Sequence, residues 1–365
     1  MYRFVRYSID RSYNLELKDW DWNKTFDFAI KQSLVGVLFK GIERAVNNGV
    51  LLPKDVVLNW IGMVSLIKTN NQRTNQQAVI ISETLSANGF HSCVLKGQGN
   101  AIYYSDPSLR MPGDIDIWVK PNENTEGICN DNNGIRRVIQ YVKKKNPQAY
   151  AIYHHIDYGP VGDVEVEVHY RPSYMSSPIH NRRAQKWFHE QQQIVFNNIV
   201  CLSDGVGEIS VPTNEFNLVY LLMHMMRHLF NDGIGLRQMM DYYYLLKSDT
   251  QYDRKKIVIT LKKLGLYHYA GAVMYVLRET MGLDDEHMVV KVDERRGKFL
   301  LEEILRGGNF GKYDTNGYFV KCKTPLGSLL RHVERDLRLV RYFPSEALWE
   351  PVSRIYHHFW RKRYN

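Results

Sequence analysis

Only four cysteines occur in the 365 residues, Cys93, Cys129, Cys201 and Cys322, scattered and without a Cys-x-x-Cys pair. Their scarcity excludes a disulfide framework and a zinc ribbon and fits a reducing compartment. No apolar run approaches the roughly 20 residues needed to cross a bilayer, so no membrane span is expected. The N-terminal Met1-Tyr2-Arg3-Phe4-Val5-Arg6 lacks a signal-peptide core, which predicts a cytoplasmic protein. Internal repeats and low-complexity tracts are also missing. What remains is an ordinary globular composition, 44% hydrophobic and 24% charged, long enough for two domains or one large one with a helical extension.

The most informative stretch is Leu95-Lys96-Gly97-Gln98-Gly99, followed by Arg110-Met111-Pro112-Gly113-Asp114-Ile115-Asp116-Ile117-Trp118-Val119. In a strand, alternate side chains share a face, so Asp114 and Asp116 project together while Ile115, Ile117 and Val119 enter the core. Mg²⁺ takes hard oxygen ligands, commonly one or two carboxylates plus substrate phosphates, so this pair reads as a magnesium clamp. Asp-x-Asp is a common pattern, and in isolation it more often marks a solvated strand face.

Two neighbouring segments strengthen the reading. Upstream, His91-Ser92-Cys93-Val94-Leu95 reads as a buried strand running through a glycine turn into a helix-like Asn100–Tyr104, an arrangement that suits an anion. Lys96 adds positive charge there, though glycines needing φ > 0 would explain the turn equally well. Downstream, Gly162-Asp163-Val164-Glu165-Val166-Glu167-Val168-His169-Tyr170 alternates strictly and predicts a half-buried strand with Asp163, Glu165, Glu167 and His169 on one face. Adjacent carboxylates repel unless water or a cation compensates them. If this strand pairs beside the Asp114 strand, one of its glutamates joins the same site.

Together these residues resemble the DNA polymerase β-type nucleotidyltransferase superfamily, and more narrowly a large, mostly uncharacterised bacterial nucleotidyltransferase family. There, Lys-Gly, an Arg and Asp-Ile-Asp precede Glu-x-His and a helical tail bearing His and Arg. The resemblance covers roughly residues 75 to 250 and implies an α+β fold, a small mixed β-sheet core flanked by helices. It implies Asp114, Asp116 and Glu167 as catalytic metal ligands, with Glu165 as the fallback, and Mg²⁺ (or Mn²⁺) as cofactor. Lys96, Gly97, Gln98 and Arg110 are the corresponding nucleotide-binding positions, with Arg able to grip phosphate bidentately. Many members carry Gly-Gly or Gly-Ser at the turn; here the pair is Gly97-Gln98. His169 is a candidate orienting group or general base.

Periodicity predicts helices over Trp22 to Val46 and Val56 to Leu85, an N-terminal helical region 1–85, a sheet core 86–212 and a C-terminal helical region 213–365. Asn122–Gly127 and Asn130–Gly134 read as an exposed loop before a helix at Ile135–Lys145. His224 and His228 lie four apart on a helix, but the metalloprotease glutamate is missing between them, which argues against zinc. Arg237 and Asp241 are also four apart and able to pair. With His228 they match a His and an Arg-x-x-x-Asp of the narrower family, a resemblance that implies a lining or bracing role.

The net charge of +9 is uneven: residues 320–365 hold ten Lys or Arg against four acids. Arg331, Arg335 and Arg338 predict a basic stripe beside an apolar face of Leu329, Leu330, Val333, Leu337 and Val340. It suits nucleic acid, an acidic partner or anionic lipid, or is simply a solvated face. The leading functional reading is transfer of a nucleoside monophosphate from a nucleoside triphosphate, ATP or another, to an unknown hydroxyl or phosphate acceptor by a two-metal mechanism. The acceptor is open between small molecule, protein and RNA. The alternatives are a non-catalytic nucleotide or nucleic-acid binding protein on the same fold, and a scaffold whose acidic strand is surface.

Overall fold

The computed structural model describes residues 1–122, 131–203, 205–248, 251–314 and 325–365. Four helices lead: α1 (Arg3–Ile9), α2 (Trp22–Gln32), α3 (Val35–Asn47) and the long α4 (Lys54–Ala87). The α/β segment follows as β1 (Phe90–Val94), the short α5 (Gln98–Ala101), β2 (Ile115–Pro121), α6 (Asp131–Lys145), β3 (His155–Val161), β4 (Val164–His169) and α7 (Pro178–Phe196). A hairpin of β5 (Ile199–Cys201) and β6 (Glu208–Ser210) precedes α8 (Asn214–Asn231), α9 (Leu236–Lys247), α10 (Arg254–Lys263) and α11 (Tyr267–Met281). The chain ends with α12 (Glu294–Gly307), α13 (Pro325–Val340) and α14 (Pro344–Tyr364). This is the α+β architecture expected, a small mixed sheet set among helices.

Local chemistry explains most boundaries. Asp21, Ser177, Thr213, Asp253 and Asp293 each accept a backbone N–H from the first turn of the helix that follows. The helical pattern from Trp22 to Val46 is broken in two because Ser33 adopts φ 54° and turns the chain left-handed. Asp131–Gly134, expected in a loop, instead form the first turn of α6, and the expected loop at 123–130 lies outside the described residues. Cys93 and Cys201 are free thiols; Cys129 and Cys322 are outside the described residues. No helix among the described residues is long and apolar enough to cross a membrane.

The principal sheet has the order β1-β2-β4-β3, with β1 antiparallel to β2, β2 parallel to β4, and β4 antiparallel to β3. One face carries Ile115, Ile117, Val119, Val166 and Val168 into a core shared with α4 (Ala78, Ile81, Leu85) and α6 (Ile135, Val138, Val142). The other face of β2 carries Asp116 and Trp118. Trp118 stacks among Phe188, Phe196 and Phe216 of α7 and α8, turning Asp116 toward the helical half of the molecule. A second core runs through α1, α3, α8, α9 and α11. At Gly36 of α3 a Cβ would stand 2.1 Å from the Leu109 carbonyl oxygen, so glycine allows this helix to pack directly under the segment that ends at Arg110.

The C-terminal pair overturns the expected basic stripe. Arg335 is buried and donates to the Asn231 carbonyl and to His332, and Arg338 pairs with Glu303 of α12. The large apolar side chains exposed on α13 are Leu330, Val333 and Leu337, and on α14 Leu348, Trp349, Val352, Ile355, Tyr356 and Phe359. Leu329 falls among side chains that are not described. Periodicity separated two faces, but Arg335 and Arg338 turn inward, where the Asn231 carbonyl and Glu303 receive them.

Candidate active site

A cavity of about 400 Å³ opens where the ends of β2 and β4 meet α8 and α9, and Lys96, Gly97, Arg110, Asp114, Asp116, Glu167, His228, Arg237 and Asp241 line it. The parallel register of β2 and β4 puts Asp116 directly opposite Glu167, and Trp118 opposite His169. Asp116, Glu167 and His169 offer ligand atoms that all lie within 4.8 Å of one another. Asp114 sits one residue before β2, exposed at the mouth of the cavity. Glu165, one alternation further out, is exposed and lines a separate shallow groove with Asp163 and Asp114. Glu167 is therefore the glutamate that joins the aspartates in the main cavity.

Two nitrogens compensate the buried carboxylates. Lys96 Nζ lies 2.7 Å from Asp116 Oδ2, and His169 Nε2 lies 2.9 Å from Asp116 Oδ1 and 3.3 Å from Glu167 Oε2. Burial raises the Asp116 carboxyl, but Lys96 and His169 outweigh it and hold it well below the usual carboxylate range. Glu167 is likewise held down against burial by its hydrogen bond to His169. Asp114 moves the other way, raised first by the charge of Asp116 and then by its surroundings. His169, which burial alone would lower, is raised by its bonds to Asp116 and Glu167.

Gly97 adopts φ 58° and ψ −110°, a conformation suited to glycine, and a Cβ there would stand 3.6 Å from the Asp114 carbonyl oxygen, so the turn after β1 runs beside the chain entering β2. The helix that follows is shorter than expected, four residues, so it offers little dipole. Gln98 does not reach the cavity: it is buried, and its amide donates to Asn75 and Asn71 of α4. Of the four positions expected to bind nucleotide, the structure brings Lys96, Gly97 and Arg110 to the cavity and turns Gln98 away.

Arg110 is engaged. Its Nε and NH2 each lie 2.8 Å from a different oxygen of Asp241, and Tyr104 donates to the same carboxylate at 2.6 Å. Burial opposes both charges, but each holds the other ionised: Asp241 is lowered and Arg110 raised. The expected Arg237–Asp241 pair does not form, because the chain entering β2 brings a better-placed bidentate partner to Asp241. Arg237 is released to the mouth of the cavity, where NH1 donates to the Met111 carbonyl at 3.4 Å and the guanidinium lies 5.5 Å from the ring centroid of Phe310. Phe310 itself holds φ 53°, a left-handed conformation uncommon for a bulky residue, which fixes its ring as a cavity wall.

Histidines account for much of the remaining lining, and sequence reasoning singled out neither His154 nor His155. Their signal was the His-His pair entering an acidic strand's antiparallel neighbour. His155 Nδ1 lies 3.1 Å from Glu167 Oε2, and His154 packs beside it. His224 and His228 come from α8, and His228 Nδ1 reaches Asp232 at 3.1 Å. They approach Arg227, and no zinc-like cluster forms around them among the described residues. Burial lowers His154 and His224 well below their ordinary value, His228 to about 4 and His155 to about 3.

These depressed histidines set a pH response. A histidine that stays neutral when folded but ionises when unfolded contributes stability above its unfolded value, about 6.5, and loses it as pH falls toward the folded value. The unfolding free energy from urea titrations is expected to fall between about pH 6.5 and 4, by several kcal/mol in total, and the urea midpoint with it. His228→Gln and His155→Gln should each flatten that slope. A midpoint constant across this window would contradict it.

The divalent ions that the sequence reading expects find a suitable donor set here. Asp114, Asp116 and Glu167 are hard oxygen donors on one wall, and the compensating Lys96 and His169 show how much positive charge this wall attracts.

Comparison with known proteins adds the family. No curated protein matches the chain. Among solved structures, an antigenic nucleotidyltransferase-like protein from Paracoccidioides brasiliensis is similar at 12% identity and a TM-score of 0.35, over 62% of this chain and 94% of that one. A family model described as uncharacterised nucleotidyltransferase matches residues 18–282, most of the chain and all of the cavity residues except Phe310. The chain thus belongs to the family of uncharacterised nucleotidyltransferases.

Proposed function

We propose that the protein transfers a nucleoside monophosphate from a nucleoside triphosphate to an acceptor hydroxyl or phosphate, with this cavity as its active site. The observation that supports it most is the β2–β4 register, which sets Asp116 opposite Glu167 beside the Lys96–Gly97 turn. In the reaction, an acceptor oxygen bonds to the α-phosphorus, the bond from that phosphorus to the bridging oxygen breaks, pyrophosphate leaves, and the acceptor proton passes to a base. Asp114, Asp116 and Glu167 would hold two magnesium or manganese ions, which supply charge neutralisation for the pyrophosphate and a lowered acceptor pKa. Lys96 would exchange its partner Asp116 for a phosphate oxygen. Arg237, which has no carboxylate partner at ion-pair distance among the described residues, would clamp the triphosphate from the mouth. Glu167 would take the acceptor proton, and His169 would hold Glu167 and Asp116 in their relative orientation. Arg110 and Asp241 brace the loop that carries Asp114.

The test is direct. The purified chain is incubated with each nucleoside triphosphate, Mg²⁺ or Mn²⁺ and a panel of acceptors, and pyrophosphate is measured. Metal-dependent release with at least one triphosphate is the expected result, along with a rise in Tm when Mn²⁺ and that nucleotide are added together. A Tm shift without turnover on any acceptor would favour a nucleotide-binding protein on the same fold, and the absence of both turnover and Tm shift would overturn the proposal.

A further inference from the structure

Arg227, on the cavity wall, is met by imidazoles rather than by carboxylates. Its NH1 donates to His154 Nε2, and its NH2 approaches His228 Nε2 at 3.3 Å and His224 Nδ1 at 3.5 Å. Among the described residues no carboxylate stands within ion-pair distance of it; Asp232 reaches His228 instead. Accepting from Arg227 at Nε2 leaves His154 with its proton on Nδ1, and that nitrogen is buried without a partner, as is Arg227 Nε. A half-buried guanidinium and an imidazole N–H without acceptors are a site that an anion completes. Lys96 and Arg110, by contrast, already hold Asp116 and Asp241.

The sheet order gives this anion its role. Across β1-β2-β4-β3 the cavity presents the Lys96–Gly97 turn, then Asp114 and Asp116, then Glu167, then His155 and the adjoining His154. The turn and Arg237 lie on the donor side of the carboxylates, and His154 with Arg227 on the far side. We infer that Arg227, with His154, His224 and His228, is an oxyanion subsite for the acceptor, and that the acceptor is an alcohol carrying a phosphate or carboxylate group. This rests on the nucleotidyl-transfer reading; the subsite itself does not.

The experiment uses the full chain and inorganic phosphate as probe. Phosphate, against chloride at equal ionic strength, should raise Tm saturably by a few degrees, and still do so with a non-hydrolysable ATP analogue and Mn²⁺ present. Arg227→Gln should abolish the phosphate shift and keep that of the analogue, and Arg227→Lys should restore part of it, which excludes a folding defect. In turnover, glycerol 3-phosphate or glycerate should outperform glycerol at least tenfold, the better of the two naming the anion. Arg227→Gln should then raise the acceptor KM at least tenfold with the triphosphate KM unchanged. A phosphate shift that survives Arg227→Gln, or that the analogue abolishes because phosphate sat in the donor site, would overturn the subsite. A phosphate shift lost only with Arg227, in a protein that ignores every triphosphate, would keep the subsite and overturn the nucleotidyl-transfer reading.

A second inference rests on α14, whose orientation is inverted. Glu346 and Glu350 face the protein, bound by the Ser176 backbone and side chain and by Arg354, while Leu348, Val352, Ile355 and Phe359 face solvent. That spacing of four, three and four is a coiled-coil seam. Trp349 and Tyr356 flank it, and α13, packed along α14, adds Leu330, Val333 and Leu337 at a spacing of three and four. These nine large apolar side chains are each 41–68% exposed, a grouped face rather than the singly scattered surface hydrophobics of a monomer, and a contiguous apolar patch beyond roughly 300–600 Å² marks an interaction surface. The pair also lies beyond the residues that the family model matches. We propose that it is covered by the same pair of a second copy, two hairpins closing a four-helix seam about a two-fold axis. Light scattering of the full chain from 1 to 100 µM should give a dimer that Val352→Glu/Ile355→Glu converts to a monomer with unchanged circular dichroism. A monomer throughout, a dimer indifferent to the substitutions, or a monomer that sediments with anionic vesicles would overturn it.

Discussion

Asp116→Asn is expected to lower pyrophosphate release by about 1,000-fold or more, some 4 kcal/mol of transition-state stabilisation. The substitution removes one negative charge from the centre of the buried acidic wall, where Lys96 lies 2.7 Å away on one side and His169 2.9 Å on the other. It also takes the carboxylate from Lys96 and leaves His169 with Glu167 alone, so a loss of activity by itself would not distinguish lost chemistry from a loosened fold. Lys96→Met/Asp116→Asn removes the charge imbalance and should recover the melting temperature of the single variant without recovering activity. Asp163→Asn, on an exposed carboxylate 2.9 Å from Arg73, serves as a control that should keep full activity. Equal turnover by Asp116→Asn and the unaltered chain would remove the acidic wall from the chemistry.

The largest effect on stability should come from Asp241. Asp241→Asn is expected to cost about 3–5 kcal/mol, because Arg110 is buried and would lose its only carboxylate among the described residues. Tyr104 and Asn100 converge on the same carboxylate, so the loss spreads through the loop that leads to Asp114. Arg110→Met/Asp241→Leu, with both charges gone, should be markedly more stable than either single change, and urea titrations of the full cycle measure the coupling. A change below about 1 kcal/mol for Asp241→Asn would show that the pair is not the brace described here.

How far the sequence carries the site depends on the kind of contact. Strand alternation made Asp116 legible and put both Glu165 and Glu167 on one face, the family resemblance favoured Glu167, and the β2–β4 register sets Glu167 opposite Asp116. Gln98 was not legible. Its position beside Gly97 was correct, but a side chain in a one-turn helix can point to either side, and here the asparagines of α4 captured it. The partner of Asp241 was hidden for the same reason: a spacing of four on α9 offered Arg237, whereas tertiary packing delivered Arg110 from 131 residues away. Arg335 and Arg338 looked solvated because a helix pattern separates faces without saying which one meets the body of the protein. Their receivers, Glu303 and the Asn231 carbonyl, belong to α12 and to the end of α8. His154 and Arg227 escaped because neither sits in a spacing that means anything until β3 and α8 are brought together.

The parallel pairing of β2 with β4 has a consequence for how the protein acquires its site. Parallel neighbours cannot be joined by a hairpin, and here the chain must travel through α6 and β3 before β4 can dock beside β2. Asp116 and Glu167 therefore meet only after a long loop has closed, a slow kind of contact that comes after local helices have formed. Slipping that pairing by one residue would send Glu167 to the face of Val166 and Val168, burying a carboxylate in hydrocarbon. The acidic wall is thus tied to the register of the sheet: a chain that has misaligned these strands has both a damaged core and no pairing of Asp116 with Glu167.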